Sequence, residues 1–337
     1  MSVRVVLIPR HGGPEVLEVH EQPDPPMRPG HVRVAVAAAG INFADTMART
    51  GIYPDAPKPP MVVGYEASGT VAELAPDVTG FAVGDRVMAV TKFGGYASDL
   101  VLPAHDVISL PDRLTFEQGA AIPVNYSTAW AALLGYGSLR EGERVLIHAA
   151  AGGVGIAAIQ IAKRHGAVVH GTASAHKHDR IRALGADEAH DYRHAGWDRG
   201  LDGTFDLVLD AVGGASVRRS YALLRTGGRV VAYGASSLQT GDKRNLPRMV
   251  PQALRMWRGF DLISQMSDSK SVIGLNMLRL WEDRRTLEPW LTPLQPLIDD
   301  GTVDPVVAEA VPFDRAADAH RLIAERRNVG KVVLVPD

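Results

Sequence analysis

The alternation of apolar and polar positions changes character near residue 126. Before it, apolar residues recur every second position in short runs. Val32-Arg-Val-Ala-Val-Ala and Gly69-Thr-Val-Ala-Glu-Leu each suit a half-buried strand. Phe81-Ala-Val-Gly-Asp-Arg-Val-Met-Ala-Val is a turn feeding a strand, and Gly94-Gly-Tyr-Ala-Ser-Asp-Leu-Val-Leu is another. Prolines at 23, 25, 26, 29, 54, 57, 59 and 60 punctuate long loops between them. From about residue 126 the pattern predicts strands at 144–149, 167–171, 206–210, 228–233 and 271–275, with helical stretches between. Strands alternating with helices argue for an α/β doubly wound parallel sheet. Gly330-Lys-Val-Val-Leu-Val predicts a last strand. There is no internal repeat and no low-complexity tract.

The most specific local pattern lies in Val145-Leu-Ile-His-Ala-Ala-Ala-Gly-Gly-Val-Gly. An apolar run reads as a buried strand, Gly152, Gly153 and Gly155 make a tight turn, and Ile156-Ala-Ala-Ile-Gln-Ile-Ala-Lys reads as a helix. Small residues there let the backbone approach a pyrophosphate, and the free N–H groups and dipole of the helix start favour its charge. The usual first glycine is Ala150, so the pattern is A-x-G-x-x-G. A strand before it, a helix after it and further strand–helix units make it a dinucleotide site.

Composition narrows the function classes. The 337 residues suffice for two domains, and a net charge of −2 gives no reason to expect nucleic acid or bulk attraction to membranes. No apolar run approaches a spanning helix, and the N-terminus has no secretory h-region, so the cytoplasm is the expected compartment. The absence of cysteine excludes disulfides, thiolate zinc sites and cysteine nucleophiles. His176, His178, His190 and His194 lack a paired ligand motif and are expected to be solvated.

Phe81-Ala-Val-Gly-Asp-Arg-Val, Gly94-Gly-Tyr-Ala, Gln118-Gly-Ala-Ala-Ile-Pro and the His148–Gly155 turn together resemble the medium-chain dehydrogenase/reductase superfamily, and more narrowly its zinc-free quinone oxidoreductase branch. Asn42-Phe-Ala-Asp-Thr-Met-Ala-Arg, Pro123-Val-Asn-Tyr-Ser-Thr-Ala, Gly171-Thr-Ala-Ser and Ser271-Val-Ile-Gly-Leu-Asn resemble its vesicle amine transport protein-like subgroup. The resemblance spans essentially the whole chain. It implies a GroES-like β-rich catalytic domain over 1–125, a Rossmann NADPH-binding domain over 126–275, and a return segment over 276–337 that completes the catalytic domain. The active site would lie in the cleft between them.

Zinc enzymes of the superfamily hold their metal with Cys, His and Cys. The matching positions here are Asn42, Tyr65 and Val124, which cannot make an ordinary zinc site. Without a Lewis acid, alcohol oxidation is disfavoured. The second strand of the dinucleotide unit is followed by Thr172-Ala-Ser-Ala-His-Lys, and no carboxylate appears before Asp179 to hold a ribose 2′-hydroxyl. Ser174 and Lys177 offer a hydroxyl and a cation to an added 2′-phosphate, which favours NADPH over NADH. The alternative is that Ser174 caps a helix and Lys177 is a solvated helix residue. The resemblance adds Tyr192 beside that phosphate and Thr128 on the loop entering the Rossmann domain. It also adds Gly152, Gly153 and Val154 at the pyrophosphate, with Val212, Gly234, Ala235, Leu275 and Met277 around the nicotinamide and Asn328 as a C-terminal contact.

Hydride transfer needs an aligned acceptor and donors for the oxygen that becomes negative. Asn42 is the first candidate donor, with bracing of its loop as the alternative. Tyr53 either donates to the oxyanion or lines the pocket, and Tyr65 either enters the space a metal would fill or packs. Asp45 and Glu66 are expected to be structural acceptors. Residues 243–258 carry five basic residues and no acidic one, with Leu246, Met249, Val250, Ala253, Leu254 and Trp257 at helical spacing. Packing or a cleft lid is the expected role, and contact with a lipid surface is the alternative. A homodimer joined through Ser271-Val-Ile-Gly-Leu is implied by the resemblance. The expected function is reduction of quinones or related α,β-unsaturated carbonyls by NADPH. Enoyl-thioester reduction, or a weakly catalytic NADPH-binding protein acting through membrane or partner contacts, are the alternatives.

Overall fold

The computed structural model describes residues 2–239, 247, 250, 251, 254 and 260–336. Strand His31–Gly40 is the spine of the first lobe, because Val32, Val34 and Val36 face its core while Arg33 and Ala35 alternate outward. Around it runs a seven-stranded sheet in the order Val307–Pro312, Lys331–Val335, His31–Gly40, Glu66–Leu74, Arg86–Val90 and Val107–Ser109, with Asp99–Pro103 also paired to the spine. Glu18–Pro23, Ser2–Ile8 and Met61–Val62 form a separate three-stranded sheet. Both sheets share one apolar core that includes Val5, Ile8, Val34, Val87, Tyr96 and Phe313.

The second lobe is a six-stranded sheet, parallel throughout, in the order Glu188–Asp191, Val168–Ala173, Arg144–Ile147, Phe205–Asp210, Leu224–Ala232 and Ser271–Gly274. Its central strands are buried on both faces, which is why they read as continuous apolar runs. The strand order reverses between Arg144–Ile147 and Phe205–Asp210, so a crevice opens at their carboxyl ends.

Several expectations need adjustment. Strand Glu188–Asp191 was not anticipated, because an edge strand reading Glu-Ala-His-Asp has no apolar run to reveal it. It places His190 half-buried against His170, with ring centroids 5.3 Å apart, rather than in solvent. Helix Pro123–Trp130 runs through the expected boundary at 125/126, so Thr128 sits on a helix and not on a loop. Residues after 276 do not return at once to the first lobe. Trp281, Leu287, Trp290, Leu294 and Leu297 join the core built on Val145, Ile147 and Leu207, and pairing with the first lobe's sheet resumes only at Val307–Pro312. Of the basic segment 243–258 only 247, 250, 251 and 254 are described, with Val250 and Leu254 exposed, so its amphipathic pattern lies outside the described residues. Among the described residues no helix is long and apolar enough to cross a membrane.

Candidate functional site

The glycine-rich turn forms as its spacing requires. Ala149 takes a positive φ of 54°, and helix Gly153–Arg164 starts behind Gly152 with no side-chain cap. Its first N–H groups are therefore left for a ligand. A Cβ on Gly155 would lie 2.5 Å from the Ala149 carbonyl oxygen, so only glycine lets the helix pack this closely on the turn. The C-terminal loop closes over the turn: Gly330 N–H donates to the Ala151 carbonyl at 2.9 Å, and Asn328 Nδ2 donates to the Gly330 carbonyl at 2.7 Å.

A cavity of about 1000 Å³ runs from this turn to the first lobe. All the site residues proposed from sequence line it: Asn42, Tyr53, Tyr65, Thr128, Gly152, Gly153, Val154, Ser174, Lys177, Tyr192, Val212, Gly234, Ala235, Leu275, Met277 and Asn328. Beneath Val212, Asp210 Oδ1 accepts the Val212 and Gly213 N–H groups at 2.8 Å each. Ser220 donates to Asp210 Oδ2 at 2.8 Å and lies 3.1 Å from His148 Nε2, whose Nδ1 is 3.1 Å from Thr172 Oγ1. Because Ser220 spends its proton on Asp210, His148 carries its own on Nε2. This chain ties three strand ends together at the crevice.

At the far end of the crevice Ser174 is buried, with its hydroxyl 3.4 Å from Tyr192 Oη. Lys177 is not the solvated cation of the alternative reading. Its Nζ donates to the Arg326 and Asn328 carbonyls at 2.7 and 2.6 Å, and burial lowers its pKa. Burial opposes ionisation of Tyr192, but hydrogen bonding with Ser174, Arg326 and Arg193 brings its phenol below the ordinary value. Arg326, which lines the cavity, went unnoticed in the sequence because it lies in the tail, 134 positions after Tyr192. Hydroxyl, phenol, ammonium and guanidinium groups next to an uncapped helix start fit a dinucleotide carrying an extra phosphate.

The floor of the cavity belongs to the first lobe. Asn42 precedes helix Phe43–Arg49, and Asp45 reaches back to its N–H at 2.7 Å. The Asn42 side chain is turned away from capping. Its Nδ2 donates to Glu66 Oε1 at 3.0 Å, and its Oδ1 accepts from Lys331 Nζ at 2.7 Å. Glu66 Oε2 accepts the Val124 N–H at 2.7 Å, so one buried carboxylate ties Asn42 to Val124. Asp45 also accepts Gly64 N–H and the Tyr96 hydroxyl, at 3.1 and 3.0 Å. Burial lifts its pKa to about 6 in spite of these donors and of Lys331. Both acids thus serve as acceptors.

Tyr53 is half-buried, and burial, with Asp55 adding, pushes its phenol up to about 12. Tyr65 is 7% exposed, its ring 5.0 Å from Phe93, and among the described residues its hydroxyl has no partner within hydrogen-bond distance, the interacting Tyr53 phenol lying just outside it. Burial and the nearby Asp45 raise its pKa far above the ordinary value. This donor set does not fit zinc. The three positions hold an amide committed on both sides, a phenol and an isopropyl group, and the amide already accepts from a lysine ammonium that brings a positive charge. Lys331 was the missed member; the signal was a charged residue opening the buried run Lys-Val-Val-Leu-Val.

Comparison with known proteins agrees with this architecture. Residues 28–112 match the family model "Alcohol dehydrogenase GroES-like domain", and residues 184–334 match "Zinc-binding dehydrogenase". The chain is 34% identical to the synaptic vesicle membrane protein VAT-1 homolog of Rattus norvegicus over 347 residues, covering 99% of this chain and 84% of that protein. It is 39% identical over 313 residues to a stretch of polyketide synthase GfsB of Streptomyces halstedii, 92% of this chain but 5% of that protein. Quinone oxidoreductase from Pseudomonas syringae superposes with a TM-score of 0.83 at 31% identity, covering all of both chains. A mycobacterial protein complexed with NADPH gives 0.83 at 30%, covering 99% of this chain and 100% of that one. With its GroES-like β lobe and parallel six-stranded Rossmann sheet, the chain belongs to the medium-chain dehydrogenase/reductase superfamily.

Proposed function

We propose that this oxidoreductase is a cytoplasmic, zinc-free reductase that uses NADPH to transfer hydride to quinones or related α,β-unsaturated carbonyls. One observation carries the reading. The cavity that begins at the uncapped helix start ends on Asn42, Tyr53 and Tyr65, and a buried ammonium lies against Asn42, one of the positions that match the ligands of the zinc enzymes. When bound, the nicotinamide supplies the hydride. The chain's residues orient the acceptor and receive its oxygen. A quinone or enone carbonyl that gains hydride becomes phenolate- or enolate-like, which a few hydrogen-bond donors suffice to stabilise. Tyr53 and Tyr65 stay protonated across the physiological range because burial raises both, so each remains a donor. Lys177, Arg326, Tyr192 and Ser174 are assigned to the 2′-phosphate. The neighbour complexed with NADPH supports that choice.

The likeness to a polyketide synthase stretch favours an acyl thioester as the second acceptor to try. The outer edge of Ser271–Gly274, the last strand of the sheet among the described residues, is where a homodimer would form. The test is NADPH consumption against a panel of quinones, enones and acyl thioesters, with zinc analysis and sizing of the same preparation. Quinone turnover without stoichiometric zinc is expected. Turnover confined to thioesters reassigns the acceptor. Lipid co-sedimentation with no turnover at all overturns the enzymatic reading.

A further inference from the structure

Lys331 is a buried cation that the steps above leave without a task. It is 4% exposed, and its Nζ donates to Asn42 Oδ1 at 2.7 Å and to Glu66 Oε1 at 2.5 Å. Glu66 is fully buried and accepts Asn42 Nδ2 on that same oxygen, with Val124 N–H on the other. A buried ion pair is an expensive way to fill space, since apolar residues of similar volume often do as well or better. Its geometry has a specific consequence for the amide between the two charges. An ammonium only donates and a carboxylate only accepts, so the amide oxygen must face Lys331 and the amide nitrogen must face Glu66. Glu66 uses one Nδ2 hydrogen, and no other described residue takes the second, which is left to the cavity that Asn42 lines. With the amide turned over, an oxygen would stand there and repel a developing negative charge.

We propose that Lys331 is a positioning residue that sets the polarity of the Asn42 amide, so that the cleft floor presents an N–H donor to the acceptor oxygen. This rests on the reductase reading, and two measurements separate their failures. The first is single-turnover hydride transfer from NADPH to a quinone. The second is the apparent pKa of 4-nitrophenol, a phenolate probe, bound to the protein with NADP⁺; it needs no turnover. Lys331→Met, Asn42→Ala and their double variant form the cycle. Each single variant should slow transfer about ten- to hundred-fold with the NADPH Kd unchanged. Each should also abolish the lowering of the probe's pKa that the parent protein produces. Because Lys331 acts through Asn42, the double variant should be no worse than Asn42→Ala alone. Lys331→Arg, which keeps a charged donor, should recover part of both signals. Should Lys331→Met fail to fold, Lys331→Met/Glu66→Gln leaves no unpaired buried charge and takes its place in the cycle. Losses that multiply in the double variant, a probe shift that survives without the lysine, or no shift in the parent protein overturn the inference. A parent that shifts the probe yet reduces no quinone overturns only the reductase reading.

Discussion

At the scale of single residues, the floor holds polar groups that favour function over stability. A buried hydroxyl without a partner costs about 1–3 kcal/mol, and among the described residues that of Tyr65 makes no hydrogen bond of ordinary length. Tyr65→Phe should therefore raise stability by about 1 kcal/mol in a thermal melt while slowing quinone reduction. A lower Tm would show that the hydroxyl has a partner in the folded protein. Tyr53→Phe should slow hydride transfer about tenfold or more with NADPH affinity unchanged, read by single-turnover kinetics. An equal rate would make Tyr53 a pocket wall. At the other end of the crevice the two cations should behave differently. Arg326→Gln should weaken NADPH by about 1–3 kcal/mol and leave NADH nearly untouched, as titration of both cofactors would show. Lys177→Met should weaken both, because its ammonium also holds the carbonyls of Arg326 and Asn328.

Among the elements, the strand–turn–helix unit was the most legible. Its apolar run, small residues and following helical pattern are local, and local sterics are enough to specify them. Gly155→Ala tests the tightest point. The added Cβ would meet the backbone of Ala149 and Ala150, at 2.5 and 2.7 Å, and backbone cannot step aside as a flexible side chain can. A loss of about 1–3 kcal/mol in denaturant unfolding is expected, together with weaker NADPH binding. Unchanged stability would mean that the turn has slack. Strand Glu188–Asp191 escaped notice for the opposite reason: its pairing with Val168–Ala173 comes from the neighbouring strand rather than from its own residues.

For the whole molecule, buried imidazoles govern the response to acid. Burial lowers the pKa of His148, of His320 with Arg49 adding, and of His170 to about 4 with Arg144 and His190 adding. A histidine whose folded pKa is depressed contributes stability that is present above the unfolded value of 6.5 and lost as pH falls through that value toward the folded one. Asp45 runs the other way, since its raised pKa of about 6 gives stability below the unfolded value that is lost as pH rises through 6. Burial lowers His165 and His190 as well and lifts Asp106 to about 6, and the five imidazoles against two carboxylates leave a net loss on acidification. The Tm should therefore fall by several degrees between pH 7 and 5.5, and His170→Gln should flatten that slope. A Tm that rises on acidification would contradict the assignment.

The sequence by itself determined the two lobes and the dinucleotide turn, because periodicity and small-residue spacing are properties of contiguous stretches, while most of the residues that face the cleft were named through the resemblance of its motifs to the superfamily. It also pointed to Asp45 and Glu66 as acceptors, since each stands beside a position that must be braced. Only the tertiary structure decided what those acceptors hold. Lys331 reaches Asn42 across 289 positions, and Lys177 reaches Asn328 across 151. Likewise the polar chain beneath Val212 assembles from the ends of three separate strands. No local pattern encodes such pairings. They exist because folding buries the charges together, where each must find a partner or carry the full cost of leaving water.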